Sequence, residues 1–393
     1  MILLSTASPW RIAPLTFQPG SYYVEAGTAG AALHNNDASQ MTVQTVPNPR
    51  PWDPAQDWNG RSILLCRSGG FGDLLFLTPL LRAMRAKWPR VSLSFAATPH
   101  CHDALMDLPE LDALLAYPVP QADLERYDAV LWFEGVIEWD PRAREVDSVQ
   151  LHADFAGVEL TEGRQMHFRA HLRHLESMRH RFPRLMVEMK APDSNRREQR
   201  ILVSASDPPF SPLPPVQNQK RRLPRIGIQC SASAKCRTYP ASRLGELLQA
   251  LPTHWQLVLF DTPRPLEKDE SCPTMISLPT QQPPLSFAQS CAVLADCDVV
   301  IAPDSALVHV AGALGIPTIG LYGPFPWQLR TIHAPRTVGL NGTNCKLAPC
   351  FHHDRESYFP AHGPCHKTGR CEALYSIEPL HIVSEVKKLL GST

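Results

Sequence analysis

The sequence predicts an α/β protein of two parallel-sheet units with a cleft between them. Three observations carry that expectation. From about residue 61 to 190, short apolar runs alternate with stretches of helical composition, the pattern of successive strand–helix–strand units. After a proline-rich stretch the alternation restarts at Arg225. The first unit also opens on an apolar run, Ile63 to Cys66, that ends in the turn Ser68-Gly69-Gly70-Phe71-Gly72, meets an acid at Asp73 and passes into an amphipathic helix. Strand, glycine turn and helix form a ligand crevice at the carboxyl end of a parallel sheet. Glycines let a ligand approach the backbone, and the helix N-terminus favours anions. An acid stands where a phosphate loop would want a lysine, so Asp73 is read as a base facing a neutral hydroxyl.

Composition bounds the rest. The chain has 393 residues, enough for two ordinary domains, and 44% are hydrophobic. Lys+Arg and Asp+Glu are both 38, so the net charge is zero, which argues against a nucleic-acid surface. No run of about 18 uncharged apolar residues is present, so no membrane span is expected. The N-terminal Met1–Ala7 lacks the charged start and apolar length of a signal peptide. With that, the 11 cysteines suggest a reducing compartment, and a cytoplasmic location is expected.

Taken in order, residues 1–58 are an N-terminal β-rich extension, with strands expected near Ser21–Ala26 and Met41–Val46. It shows no chemistry and reads as a small appendage or an oligomer contact. In the unit 61–190, Val91–Ala96, Ala113–Tyr117 and Ala129–Phe133 read as strands, and His152–Leu160 and 164–182 as helical. Residues 191–224 hold Pro208, Pro209, Pro212, Pro214, Pro215 and the basic run Lys220-Arg221-Arg222, a linker by composition. In the unit 225–340, strands are expected at Arg225–Cys230, Gln256–Phe260, Asp298–Ala302 and Thr318–Tyr322, and helices at Ala241–Leu251, Ser286–Ala295 and Ala306–Leu314. A cysteine-rich segment, 341–375, and a terminal helix within 376–393, roughly Pro379–Leu390, complete the chain.

The strongest constellation in the second unit is Asp304-Ser305-Ala306-Leu307-Val308-His309, directly after a buried strand ending at Pro303. Asp304-Ser305 can cap the next helix, whose free amides suit a diphosphate, with His309 one turn in. The plain alternative is an ordinary capped helix with a buried histidine. Earlier, the loop Ser231-Ala232-Ser233-Ala234-Lys235-Cys236-Arg237 offers two cations to a phosphate, although loop Lys and Arg are usually only solvated. Asp296-Cys297-Asp298 imitates a metal-binding Asp-x-Asp, but it sits at the start of a strand, away from the sheet's carboxyl edge, and is rejected as such. His100, His102 and His152 are candidates for the acceptor side of the cleft, with surface or core roles as the plainer reading.

Four pieces occur in a telling order: strand-Gly-Gly-x-Gly-Asp-helix, Ser-x-Ser-x-x-x-Arg-x-Tyr-Pro, Asp-Ser-x-x-x-His-x-Ala-x-x-x-Gly-x-Pro, and Leu321-Tyr322-Gly323-Pro324. The chain resembles glycosyltransferase family 9, the ADP-heptose:lipopolysaccharide heptosyltransferases, over about residues 61–340 and the last helix. The resemblance implies a GT-B architecture, two Rossmann-like domains facing a cleft, with the acceptor on the first and the nucleotide-sugar on the second. It implies Asp73 as general base, with Gly72 at its turn. Gly72, Ser231, Ser233, Lys235, Arg237, Asp304, Ser305, Ala306 and His309 are then the donor-binding set. Arg237 replaces the family's usual lysine, Thr238-Tyr239 its Arg-Trp, and Ala306-Leu307-Val308 its Gly-Pro-Met, so charge is kept while geometry differs. The chemistry needs no cofactor: a carboxylate takes the hydroxyl proton, and cations with a helix N-terminus stabilise departing ADP.

Cys345, Cys350, Cys365 and Cys371 lie among His352, His353, His362 and His366. Such thiolates suit a structural zinc or iron, with free thiols or disulfides as alternatives. Bacterial autotransporter heptosyltransferases, a branch similar to family 9, combine an N-terminal β-extension with a late iron-holding cysteine finger, modify serines of a surface protein and assemble as rings. This chain has an extension and a late cysteine cluster. The remaining cysteines, 66, 101, 230, 236, 272, 291 and 297, read as small buried residues.

The expectation is therefore transfer of a sugar, most simply a heptose, from an ADP-sugar to an acceptor hydroxyl on a glycan or a protein. The alternatives are a protein O-heptosyltransferase and a catalytically silent binding or assembly module. A nicotinamide dehydrogenase is disfavoured, because the first turn lacks Gly-x-Gly-x-x-Gly. A homo-oligomer is admitted as a partner state.

Overall fold

The computed structural model describes residues 2–12, 15–24, 26–183, 223–261, 275–351 and 371–391. The linker's prolines, Cys272, Cys365 and His352, His353, His362 and His366 lie outside the described residues.

Two parallel sheets organise the chain. The first has the spatial order Ala129–Trp132, Ser62–Cys66, Ser92–Ala97, Ala113–Ala116. Its central strand buries Ile63, Leu64, Leu65 and Cys66 completely, the mark of a strand covered on both faces. The second sheet has the order Met275–Ser277, Gln256–Leu259, Arg225–Ile228, Val299–Pro303, Thr318–Tyr322, Thr337–Asn341, every neighbouring pair parallel. That is the Rossmann order 3-2-1-4-5-6. In each sheet the chain reverses direction of travel beside the first strand, so each has a switch point there: between Ser62–Cys66 and Ala129–Trp132, and between Arg225–Ile228 and Val299–Pro303. Open parallel sheets bind ligands outside the carboxyl ends at these points.

The carboxyl ends of the two sheets approach each other. Phe71 meets Phe287 at 4.0 Å between ring centroids. The Ala288 N–H donates to the Asp103 carboxylate at 3.1 Å. One apolar cluster contains Leu74, Phe76 and Leu77 from the first unit and Ala302, Leu307 and Val308 from the second.

Several elements differ from expectation for visible reasons. The helix expected after Asp73 is two: Phe71–Leu75, then Thr78–Lys87 with Pro79 in its first turn, where a missing N–H costs nothing. The helix near His152 runs Ser148–Ala156, capped by the Asp147 carboxylate accepting from Gln150 N–H and ended by Gly157 at φ 62°. Residues 164–182 are not one helix; they hold the short turn Ala170–Arg173 and the helix Leu175–Arg181. That helix packs through Met178 beside Val258 and Leu278 of the second unit. Expectation missed the edge strands Met275–Ser277 and Thr337–Asn341 and the helix Ala26–Asn35.

The extension is more than an appendage. Its antiparallel strands Met41–Thr45, Ile2–Thr6 and Gly20–Val24 recruit Val119–Pro120 of the first unit as a fourth strand. Tyr23 packs with Leu64, Cys66 and Val130 of the first sheet. The terminal helix Pro379–Gly391 lays Ile382, Val383 and Val386 against Leu244 and Leu247 of the helix Ala241–Ala250.

Candidate active site

The first wall of the cleft is the turn after Ser62–Cys66. Gly70 has φ +68°, and a Cβ there would stand 2.0 Å from Asp73 Oδ2, so only glycine fits. Asp73 lies in the first turn of the helix, with its side chain 34% exposed. Arg67, buried, places Nη2 3.3 Å from Asp73 Oδ2 and donates from Nη1 to the Phe133 carbonyl at 2.8 Å. The Ser68 N–H donates to the Glu134 carboxylate, and Thr98 Oγ1 donates to the Ser68 carbonyl, so the turn is held from both flanking strands. Glu134 also lines a cavity of about 590 Å³ with Val136, Asp140, Arg142 and Phe155.

The second wall centres on Asp304, which is buried with Arg330 Nε at 3.7 Å, Arg237 Nη1 at 3.9 Å and His309 Nε2 at 3.4 Å around it. Burial opposes its ionisation, but Arg330, the His309 hydrogen bond and Arg237 outweigh it and hold the carboxyl well below the usual carboxylate range. Its Oδ2 accepts no hydrogen bond among the described residues. Arg237 donates from Nη1 to the Asp304 carbonyl at 3.1 Å and from Nη2 to Ser233 Oγ at 2.7 Å. Arg330 is fixed over the Phe325 ring at 4.2 Å. Nearby, burial and the neighbouring Asp304 raise the Tyr322 hydroxyl well above its ordinary value.

Ser305 is the N-cap residue of the helix Ala306–Ala313, yet its hydroxyl makes no cap bond; it donates to Gln229 Oε1 at 2.5 Å. The expected side-chain cap is thus corrected, because Gln229, at the end of the neighbouring strand across the switch point, competes for the hydroxyl. The first amides of this eight-residue helix lack a side-chain cap. His309 projects from it between the walls: a Cβ on Gly72 would stand 3.0 Å from His309 Cδ2, and its ring meets Phe76 edge-on at 4.7 Å.

The structure therefore brings together Gly72, Ser233, Arg237, Asp304, Ser305, Ala306 and His309, with Asp73 on the facing turn. Lys235 belongs to the turn Lys235–Arg237. Ser231 is turned elsewhere: its N–H and hydroxyl both donate to the Asp261 carboxylate. Arg67, Gln229, Arg330 and His333 were missed. Arg67 immediately precedes the glycine turn, which is a usable signal; Arg330 and His333 carry none, since only the fold brings Arg330 to Asp304 and His333 to His309.

Other candidates find plainer places. Asp296 pairs with Arg225 at 3.0 Å and Arg179 at 3.2 Å, and Asp298 accepts from the Arg225 N–H at 2.8 Å, a structural set. His102 Nε2 lies 2.9 Å from the Ala97 carbonyl and 3.1 Å from that of Leu115. His152 is buried against Phe133, and burial, with Arg67 nearby, pushes its pKa well down. His100 is exposed. Among the late cysteines, the Cys371 sulfur lies where a Cβ on Gly323 would be 2.6 Å away, and Phe351, next to Cys350, donates its N–H to the Pro324 carbonyl at 2.8 Å. Cys345 packs against the same apolar cluster as Cys371. Among the described residues no three His, Cys, Asp or Glu side chains are placed to hold a metal. No helix among them is long and apolar enough to cross a membrane.

Residues 187–357 match the model of glycosyltransferase family 9 (heptosyltransferase). No curated protein matches the chain. The fold is similar to that of a family 9 glycosyltransferase from Veillonella parvula, with TM-score 0.56 and 14% identity over 87% of this chain and 100% of that one. It is similar to E. coli ADP-heptose lipopolysaccharide heptosyltransferase II, with TM-score 0.52 and 16% identity over 84% and 99%. It is also similar to the dodecameric iron-containing heptosyltransferase TibC of enterotoxigenic E. coli, solved with ADP-D-β-D-heptose, with TM-score 0.55 and 13% identity over 100% and 91%. The two facing Rossmann-like units are the GT-B architecture of these structures, and the match of residues 187–357 to the family 9 model supports a glycosyltransferase.

Proposed function

We propose that this protein moves a heptose from ADP-heptose to an acceptor hydroxyl, with Asp73 as general base. The observation that carries the reading is the close approach of Gly72 to His309, which sets Asp73 and the buried Asp304 on facing walls of one cleft. Asp73 takes the hydroxyl proton as the acceptor oxygen bonds to the anomeric carbon. The bond from that carbon to the diphosphate oxygen breaks, and ADP leaves with the electron pair. Arg237, Lys235 and the amides at Ser305 and Ala306 hold the diphosphate's charge, while Asp304 and His309 shape the sugar site. The first unit, 61–190, holds the acceptor, which enters through the cavity at Glu134 and Phe155, and the unit 225–340 holds the donor.

A second reading concerns the acceptor. The likeness to TibC covers the whole of this chain, extension included, where the other two cover 87% and 84%. With the late cysteines, this favours the branch that modifies serines of a surface polypeptide, in the cytoplasm and as a large homo-oligomer. There Cys345, Cys350, Cys365 and Cys371 would hold a structural iron or zinc, whose thiolate preference they suit, with no part in the transfer step.

The test is turnover by Asp73→Asn with ADP-heptose and either a glycan or a serine-bearing polypeptide. Loss of about 10²–10⁴-fold in kcat with the fold intact is expected of a removed general base. Wild-type turnover would remove Asp73 from that role. Native mass spectrometry without added metal, with and without ADP-heptose, separates the acceptor readings by assembly size and bound metal.

A further inference from the structure

We infer that Arg67 is the positioning residue of the transfer reaction, holding one oxygen of Asp73 so that the other faces the acceptor; this rests on the reading of Asp73 as base. Arg67 directly follows the central strand of the first sheet. Its guanidinium is buried at the switch point and joins two structures there. Nη1 donates to the Phe133 carbonyl, at the end of the neighbouring strand, at 2.8 Å, and Nη2 lies 3.3 Å from Asp73 Oδ2. Its backbone N–H donates to the Ala96 carbonyl of the third strand at 3.1 Å, so the side chain is launched from a fixed point.

The same Oδ2 is the oxygen tucked against Gly70, where a Cβ would be 2.0 Å away. Oδ2 is therefore enclosed by the turn and the guanidinium, which leaves Oδ1 as the proton acceptor. A planar fork can serve a carbonyl and a carboxylate at once, and an ammonium cannot keep that geometry. A base fixed in this way needs no search for its reactive orientation, and misplacement of a catalytic group by about 1 Å can cost about 100-fold in rate.

The experiment is a double-mutant cycle of Arg67→Met, Asp73→Asn and the pair, with Arg67→Lys alongside. Melting curves and calorimetric binding of ADP-heptose serve as controls for fold and donor site. Arg67→Met is expected to lower kcat by about 100-fold while the donor KM stays within about twofold, and Arg67→Lys to recover part of it. In the Asp73→Asn background, Arg67→Met should cost nothing more, because it acts through the carboxylate. A wild-type kcat for Arg67→Met, or losses that multiply in the pair, would overturn the inference. If Arg67→Met does not fold, Arg67→Lys carries the same cycle, with an intermediate loss and the same non-additivity expected. An active Asp73→Asn would sink the base reading and this one together; an inactive Asp73→Asn beside a fully active Arg67→Met would sink this one alone.

Discussion

Gly72 and His309, one on each unit, approach across the cleft so closely that a side chain at position 72 has no free space: a Cβ there would stand 3.0 Å from His309 Cδ2. The approach brings the turn that carries Asp73 to the helix that begins after Ser305. It is also the tightest test of how closely the two walls must approach.

Gly72→Ala should fold, since position 72 requires no left-handed backbone, but its methyl must displace the His309 ring by a few tenths of an ångström. Overpacking of this kind costs about 1–3 kcal/mol. We expect a melting temperature a few degrees lower and a raised KM for ADP-heptose, with Gly72→Val worse on both. Steady-state kinetics beside a thermal melt reads both effects. An unchanged donor KM in Gly72→Val would show that the walls do not meet in the working enzyme.

The strand Ser62–Cys66 was legible because a strand buried on both faces is a continuous apolar run, and Asp304–His309 because strand, cap residue and helix follow without a gap. What was not legible depends on contacts between distant segments. Ser305 looks like a capping serine, and only the neighbouring strand's Gln229 redirects its hydroxyl. Arg330 and His333 follow the last recognised motif at no diagnostic spacing, yet Arg330 comes to Asp304 and His333 to His309. The pairing of the extension with Val119–Pro120 was hidden for the same reason: a two-residue strand containing proline has no sequence pattern of its own.

Acid should destabilise the protein through buried histidines rather than through exposed carboxylates. Burial, then His309, lowers His333 from 6.5 to about 3, and burial, then Arg169, lowers His171 from 6.5 to about 4. Each is neutral in the folded chain where the unfolded chain binds a proton. Their stability is whole above about pH 6.5 and falls as pH drops towards those values, by up to about 1.4 kcal/mol per pH unit for each group. Urea melts at pH 7.5, 6 and 5 should show this slope, and His333→Phe should flatten it. An equal slope in that variant would assign the acid sensitivity elsewhere.

Arg330 is the cation most exposed to a decisive test, because it is both the foremost favourable partner of Asp304's charge and a residue no motif marks. Arg330→Met keeps much of the side chain's bulk over Phe325 but leaves the buried carboxylate with Arg237 as its one remaining guanidinium neighbour among the described residues, beside His309. Removing one partner of a buried ion pair costs about 3–5 kcal/mol, chiefly because the remaining charge stays desolvated. The loss should therefore be repaired in the pair Arg330→Met with Asp304→Asn, which no longer holds the desolvated carboxylate. Donor binding should not be repaired, since the neutral amide cannot orient Arg237 or His309 as the carboxylate does. Recovery of stability without recovery of ADP-heptose affinity would separate the two duties of Asp304. If the pair were as unstable as Arg330→Met alone, the cost would lie in the lost packing on Phe325, and Asp304 would not be the reason Arg330 is there.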